Sequence, residues 1–166
     1  MRLGKEAVLV LVVLAAILGC ESVPPLSPEN NIYQEVVEVT KPQGELFLSS
    51  MKWMTDAFTS AKAVIEYQDK EEGIIIGKGS AKVDVFGGGG RSTVEFTIRL
   101  EVKENKARIT FKDMSIQKIT DNDPLVAAIV NAGLVYGSEQ HGRFTRWAKT
   151  VIRKYGTYLA GESDDW

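Results

Sequence analysis

The sequence holds few side chains whose type and spacing could support catalysis. His141 is the only histidine and Cys20 the only cysteine among 166 residues. One histidine cannot build a site of several histidines around a metal, and nothing nearby marks a serine that His141 could activate. His141 flanks Gly142, where it fits a loop or a helix cap. We therefore predict no catalytic residue, no metal and no cofactor, and we expect a protein that is not an enzyme.

Two glycine segments and two acidic segments have the composition of binding loops without the spacing. Residues 77–80 read Gly-Lys-Gly-Ser, whereas a phosphate-binding loop needs G-x-x-x-x-G-K-[ST] ahead of a helix. The four glycines at 87–90 favour a mobile hairpin loop. The acidic residues at 69–72 and 121–123 do not fit the EF-hand pattern, and Pro124 stands where the second loop would continue. We interpret these carboxylates as solvated turn residues.

A basic helix face near the C-terminus could contact an anionic partner. Its cations are Arg143, Arg146, Lys149, Arg153 and Lys154, with no acidic residue between 143 and 158. Such a face could meet anionic lipid or an acidic protein. The alternative is an ordinary solvated face, whose late cations suit the helix dipole.

The start of the chain is typical of a secretory signal peptide. Arg2 and Lys5 make it positive, and the uninterrupted apolar run Ala7–Leu18 follows. Twelve helical residues span about 18 Å, well short of the ~30 Å hydrocarbon core of a bilayer. We therefore predict that residues 1–19 are a cleaved signal peptide.

The residues that end this segment, Ile17-Leu18-Gly19-Cys20, resemble the lipobox of bacterial lipoproteins. The resemblance implies cleavage between Gly19 and Cys20 and a diacylglyceryl group on the Cys20 thiol. Two or three acyl chains anchor a protein stably, because each buried methylene contributes about 0.8 kcal/mol. Glu21 is not the Asp that retains proteobacterial lipoproteins in the inner membrane, which favours the outer membrane. The alternative is an ordinary signal peptide followed by an unmodified cysteine.

The next residues predict a tether and one folded domain. Over residues 20–32, three prolines with polar neighbours cannot sustain a helix or a strand, which favours a semi-extended spacer close to the lipid surface. Residues 33–160 form the predicted domain, and residues 161–166 an acidic tail.

The composition and charge are those of an ordinary globular protein. Apolar residues make up 44% and charged residues 25%, and the net charge is −2. Cleavage before Cys20 would leave 18 basic and 21 acidic side chains, a net charge near −3. A nucleic-acid partner requires a dense basic surface, so this balance argues against one.

Hydrophobic periodicity predicts an α+β fold. The clearest strand is Thr93–Val102, in which every second residue is apolar. Further strands are predicted at 33–39, 63–68, 74–85 and from 107 onward. A bulge near Asp113 would explain a shift in the alternation, and Gly77 and Gly79 indicate a bulge, a bend or a close backbone approach. The order β-α-β-β-β-β-α favours one antiparallel five-stranded sheet with helices on its apolar face.

Helical periodicity predicts the elements that pack on this sheet. Thr40 is expected to cap the first helix, with Gln43 at the capping-box position. An apolar stripe on that helix favours core packing over a ligand site; it consists of Phe47, Met51, Met54 and Phe58. After a helical segment at 125–136 and a break at 137–142, an amphipathic helix is expected at 144–159.

Three segments resemble a bacterial family of unknown function described as having a TBP-like fold. They are VVEV at 36–39, MKWMTDAF at 51–58 and AKAVIEYQDKEEGIIIGKG at 61–79, within a resemblance over roughly 33–119. The resemblance implies a curved antiparallel sheet gripped by two helices, and it implies no activity. Fold does not carry function, so DNA binding does not follow from it.

These features indicate a non-enzymatic envelope lipoprotein whose domain binds a partner or ligand near the membrane. The alternative is a carrier of lipid or of a small apolar ligand in a cavity between sheet and helix. A sheet–helix interface filled by side chains would exclude the carrier, and an exposed apolar patch would favour a protein partner.

Overall fold

The elements of the fold follow the predicted order. The computed structural model describes residues 27, 29–58, 64–87, 89, 91–117 and 136–161. The elements are β1 (Ile32–Glu38), α1 (Gln43–Ala57), β2 (Val64–Asp69), β3 (Ile74–Val83), β4 (Ser92–Lys103), β5 (Lys106–Ile116) and α2 (Ser138–Ala160). The strands form one antiparallel sheet in the order β1-β5-β4-β3-β2. The predicted α+β class and element order are confirmed.

Several predicted features lie outside the described residues. They are the signal peptide at 1–19, Cys20, most of the tether, the helical segment at 125–135 and the tail beyond Gly161. In the part of the chain that the structure describes, no helix has the length and apolar character needed to cross a bilayer.

Buried and outward-facing residues alternate strictly along β4, which lies at the centre of the core. Val94, Phe96, Ile98, Leu100 and Val102 are at most 3% exposed, and the residues between them face the opposite, polar side of the sheet. Burying a side chain of this size stabilises the fold by about 1.5–3 kcal/mol. The sheet therefore has one wet face and one face that the helices cover.

The predicted bulge in β5 is present at Asp113. This residue has a φ of 56°, and the register of β4 with β5 shifts between Glu95 and Thr97. Asn31 secures the bulge, because its Oδ1 accepts from the Met114 N–H at 3.1 Å and its Nδ2 donates to the Met114 carbonyl at 2.8 Å. The end of the predicted tether is thereby bound to the sheet.

The start of α1 corrects the predicted cap. Pro42 occupies the N-cap position instead of Thr40, and no side chain at that position caps the helix. Glu104, in the β4–β5 turn, accepts a hydrogen bond from the Gln43 N–H at 3.1 Å across 61 positions of sequence. The Gln43 side chain, expected to complete a capping box, instead donates to the Glu71 carbonyl at 3.0 Å.

Helix α1 buries more than the predicted stripe. The stripe itself packs into the core, with Met51 only half-buried. A second row, Leu46, Ser50 and Trp53, is also buried. The helix is therefore covered on two sides, by the sheet and by α2.

Helix α2 begins earlier than predicted. Its first residue is Ser138, so the expected break at 137–142 is the first turn of the helix. Gln140 Oε1 accepts from the Gly137 N–H at 3.2 Å and closes that turn. Gly142 costs about 1 kcal/mol in a helix, which burial of the apolar stripe beginning at Phe144 outweighs.

Four aromatic rings fill one half of the sheet–helix interface. We call Phe96, Phe111, Phe144 and Trp147 the aromatic cluster, in which every pair of ring centroids is 5.0–5.9 Å apart. Gly79 makes room for it, because a Cβ there would lie 2.7 Å from the Phe96 ring. Gly79 thus marks the close approach that its place in a strand predicted.

A buried polar contact joins the two helices. The Ser50 hydroxyl donates to the Leu46 carbonyl at 2.6 Å, and its oxygen lies 2.6 Å from the Tyr155 Oη. Burial raises the pKa of Tyr155 well above its usual range, so the phenol stays protonated and donates to Ser50.

Candidate functional site

A cavity of about 380 Å³ opens between the helices and the β3 side of the sheet. Its apolar wall is formed by Trp53, Ala57, Phe58, Ala81, Trp147 and Val151. Its polar rim is formed by Ser80, Lys82, Thr93, Thr150 and Lys154. The interface that the aromatic cluster fills on one side is therefore left open on the other.

Small side chains on facing elements create the cavity. Ala81 of β3 and Ala57 of α1 both line it. Across the β3–β4 pair, Ala81 lies opposite Val94, while Gly79 lies opposite Phe96, whose ring covers the glycine. Phe96 thus fills the space next to Gly79, whereas the space next to Ala81 stays open.

One wall of the cavity carries an unsatisfied donor. Trp53 is 1% exposed, and its Nε1 has no hydrogen-bond partner among the described residues. A buried donor without a partner costs about 1–3 kcal/mol. Its indole ring is held by Tyr155, at a centroid distance of 4.5 Å, and by Phe58, at 5.6 Å.

A second, basic depression adjoins the cavity. We call it the cationic cleft; it measures about 390 Å³ and is lined by Lys82, Val83, Asp84, Arg91, Arg143 and Trp147. Lys82 and Trp147 line both spaces. The apolar cavity is therefore bordered, at Lys82 and Trp147, by a depression that carries three cations and one described carboxylate.

The carboxylate of Asp84 organises the loop beside this cleft. It accepts hydrogen bonds from the N–H groups of Gly87 at 2.6 Å and Gly89 at 3.0 Å. These bonds, helped by the charge of Arg143, lower the pKa of Asp84 below its usual range. Gly87 has a φ of 81°, and a Cβ there would lie 2.5 Å from the Arg143 guanidinium, so the loop requires glycine at this position.

Residues 33–117 match the family described as "Domain of unknown function (DUF4468) with TBP-like fold". The chain belongs to this family. No curated protein matches it.

Solved structures agree with this DUF4468 assignment. A DUF4468 family protein from Bacteroides ovatus ATCC 8483 aligns with a TM-score of 0.61 at 15% identity, covering 89% of this chain and 95% of that chain. A TBP-like protein from Parabacteroides distasonis ATCC 8503 aligns with a TM-score of 0.58 at 11% identity, covering 81% and 96%. At such identities the likeness shows the shared fold alone.

The predicted basic face of this DUF4468 chain divides into two groups. Arg143 lines the cationic cleft and donates to Glu139 at 3.1 Å, and Lys154 lines the rim of the cavity. The other three cations, Arg146, Lys149 and Arg153, are exposed to solvent. The sequence did not separate these groups, because both follow the same helical period.

The weaker candidate sites have ordinary structural roles where they are described. Residues 77–80 lie within β3, where Lys78 pairs with Glu66 at 3.2 Å. Asp69 accepts the N–H groups of two residues in the β2–β3 turn, Glu71 at 2.9 Å and Glu72 at 3.0 Å. The acidic pair at 121 and 123 lies outside the described residues.

His141 lies in the first turn of α2, not in a loop. Burial lowers its pKa below the usual range, and its Nδ1 has no partner among the described residues. Its ring meets the Tyr136 ring edge-on at 6.2 Å. No three His, Cys, Asp or Glu residues of the described ranges lie close enough together to hold a metal ion.

Sequence reasoning missed the residues that form the cavity and the cleft. Trp53 lies outside the predicted apolar stripe, and Ala57, Ala81, Lys82 and Arg91 carry no motif. A signal was nevertheless available in β3, where successive inward positions hold glycine, glycine and alanine. Such a run of small residues on the inner face of a strand indicates a place that neighbours must fill or leave open.

Proposed function

We propose that this DUF4468 protein is a non-enzymatic binding protein of the bacterial cell envelope that holds a small apolar ligand between its sheet and its helices. The observation that carries the proposal is the open cavity beside Ala81. Its volume of about 380 Å³ falls within the range of roughly 300–1,000 Å³ that is usual for small-molecule sites.

The lining of the cavity suits binding. The partly exposed side chains of Trp147, Ala81 and Val151 offer apolar surface, whose burial contributes about 25 cal/mol per Å². Trp53 and Phe58, which are almost fully buried, form the base of the cavity. Among the described residues that line the cavity, none is His, Cys, Asp or Glu, the side chains that most often transfer protons. This lining favours a carrier over a catalyst.

Filling the cavity tests the proposal. Residues 21–166 contain every described element and core residue, so this part of the chain carries its own core. With Trp166→Phe in place, the fluorescence of Trp53 and Trp147 reports directly on the cavity wall. We expect saturable quenching by decanol, and at least tenfold weaker binding after Ala81→Leu.

The control places the same substitution on the surface. Ala160 is exposed at the end of α2, and Ala160→Leu should leave decanol binding unchanged. Unsaturable quenching, or equal binding by both variants, would contradict a ligand cavity beside Ala81.

The tether forms the second part of the proposal. The lipobox residues Ile17 to Cys20 support lipidation of Cys20, which would hold the domain at a membrane, with the outer membrane favoured. Metabolic labelling with palmitate should mark the wild type and not Cys20→Ala. Equal labelling of the two would exclude the lipid anchor.

The exposed half of the basic face supports a second candidate function, contact with an anionic membrane or an acidic envelope partner. Arg146, Lys149 and Arg153 project together from α2 and are exposed. Each cation near an anionic surface contributes about 1 kcal/mol. Residues 21–166 should co-sediment with anionic vesicles, and changing these three residues to Gln should weaken sedimentation.

A charge-matched variant serves as the control for the vesicle experiment. Lys70, Lys103 and Lys106 are exposed cations of the strand connections, away from α2. Changing them to Gln removes the same charge and should affect sedimentation less. If both triple variants lose the same amount of sedimentation, net charge explains the binding and the basic face has no specific role.

A further inference from the structure

We propose that the ligand is an anionic amphiphile, whose apolar part fills the cavity and whose oxyanion head lies in the cationic cleft. The inference rests on the proposed binding function and adds the chemical class of the ligand. It follows from the way in which the two spaces join. Lys82 and Trp147 line both, so the polar end of a molecule that fills the cavity would lie beside Lys82, at the edge of the cleft.

Two cations of the cleft have charge available for such a head. Neither Lys82 nor Arg91 forms an ion pair with a carboxylate of the described residues. The Lys82 ammonium is held in place by its hydrogen bond to Thr93 Oγ1 at 2.6 Å, at the boundary of the two spaces. Because an ammonium has three donors, two remain for an oxyanion.

The acidic groups near the cleft are already engaged. Asp84 accepts two backbone N–H groups of its loop, and Glu139 pairs with Arg143. Arg143 is therefore partly neutralised, whereas Lys82 and Arg91 are not. A depression with an excess of one sign of charge and apolar walls concentrates its field, which attracts an anion and repels a cation.

Two head groups share the required chemistry. A carboxylate would come from a free fatty acid, and a phosphate monoester from a phosphorylated lipid. Both would bind through charge-assisted hydrogen bonds to Lys82 and Arg91, which are about twice as strong as neutral ones. The guanidinium of Arg91 can also bind either oxyanion in a bidentate manner.

The experiment compares three probes with one chain length and different heads. Decanoate, decyl phosphate and decanol are titrated into residues 21–166 carrying Trp166→Phe, with tryptophan fluorescence as the readout. We expect both anions to bind at least tenfold tighter than decanol. Tighter binding of decanoate would indicate a fatty acid as the ligand, and tighter binding of decyl phosphate would indicate a phosphorylated lipid.

A charge variant then locates the head. The double variant Lys82→Gln with Arg91→Gln should bring the affinity for both anions close to that for decanol, and it should weaken the anions far more than decanol because the alcohol carries no charge. The control is Lys78→Gln on the same strand, whose cation pairs with Glu66 away from the cleft, and it should change none of the three affinities. Thermal unfolding of each variant confirms that it folds.

The outcomes separate the inference from the function on which it rests. If decanol binds as tightly as the anions, or if the double variant weakens all three probes equally, the anionic head is wrong and the ligand cavity stands. If no probe binds saturably, both proposals fail. If the two anions lose affinity in the double variant and keep it in Lys78→Gln, the cleft holds the anionic head.

Discussion

The two halves of the sheet–helix interface differ in packing: side chains fill one half and leave the other open. On the β4–β5 side, the aromatic cluster fills the space between sheet and helix with four rings. On the β3 side, Ala57 and Ala81 leave a cavity of about 380 Å³. Trp147 belongs to both, because it contacts the cluster and lines the cavity. Side-chain volume therefore turns one half into filled core and leaves an open cavity in the other.

The largest expected effect tests the filled half. Phe111→Ala removes a fully buried ring that contacts the other three rings of the aromatic cluster. We expect the free energy of unfolding to fall by about 3–5 kcal/mol, measured by urea denaturation. A loss under about 1 kcal/mol would mean that this half is as loosely packed as the cavity.

The second prediction sets the same substitution in both halves. Ala107→Leu introduces a larger side chain at a fully buried position of β5, where overpacking costs about 1–3 kcal/mol. Ala81→Leu introduces it beside the cavity, where we expect a change in stability of less than about 1 kcal/mol. Urea denaturation of both variants compares the two. Equal losses would remove the distinction between the halves.

The third prediction concerns the boundary, where Tyr155 packs on Trp53. Tyr155→Phe deletes the hydroxyl that donates to Ser50 and should lower stability by about 1 kcal/mol. In a Ser50→Ala background the partner is already absent, so the same change should cost nothing further. Additive losses in this double-mutant cycle would show that the hydrogen bond does not couple the helices.

The smallest expected effect is a pH dependence at the filled half. His141 has a lowered pKa in the folded protein, so the unfolded chain, with a histidine pKa near 6.5, takes up a proton first. The free energy of unfolding should therefore fall as the pH drops from about 7 through that value. Urea denaturation at neutral and mildly acidic pH measures this loss.

His141→Gln provides the control for the pH effect. Because His141 is the only histidine, this variant should lose the part of the pH dependence that lies near neutrality. If the wild type and His141→Gln lose the same stability as the pH falls, the pH dependence does not come from His141.

The sheet could be predicted from the sequence because its signals are local. Alternation along Thr93–Val102 fixes which residues of β4 face the core, and the shift at Asp113 marks the bulge. Both depend only on neighbours in the chain and on the two-residue period of a strand.

The predictions that were wrong concern features that are set by residues distant in the sequence. Thr40 has the type and spacing of a cap, yet Glu104 of the β4–β5 turn bonds to the first helical N–H. The Gly142 region has the composition of a break, yet burial of Phe144 and later residues makes it helical. Neither outcome is contained in a local window of sequence.

The candidate site was the least predictable part. The cavity requires Ala57 and Ala81, which are unremarkable in composition, to face each other across the interface. The cationic cleft joins Lys82 of β3 and Arg91, which directly precedes β4, to Arg143 of α2. The basic periodicity of α2 identified Arg143 alone, because no pattern in the sequence links strand cations to a helix that begins many residues later.

Gly79 affects the volume of the cavity although it does not line it. A methyl group at this position would displace the Phe96 ring, which leans over the glycine and borders the cavity through its contacts with Phe58 and Trp147. The volume left beside Ala81 would then change although no lining residue had been replaced. Family members could thus differ in the volume of this cavity through a residue that does not line it, and comparisons restricted to lining residues would overlook the difference.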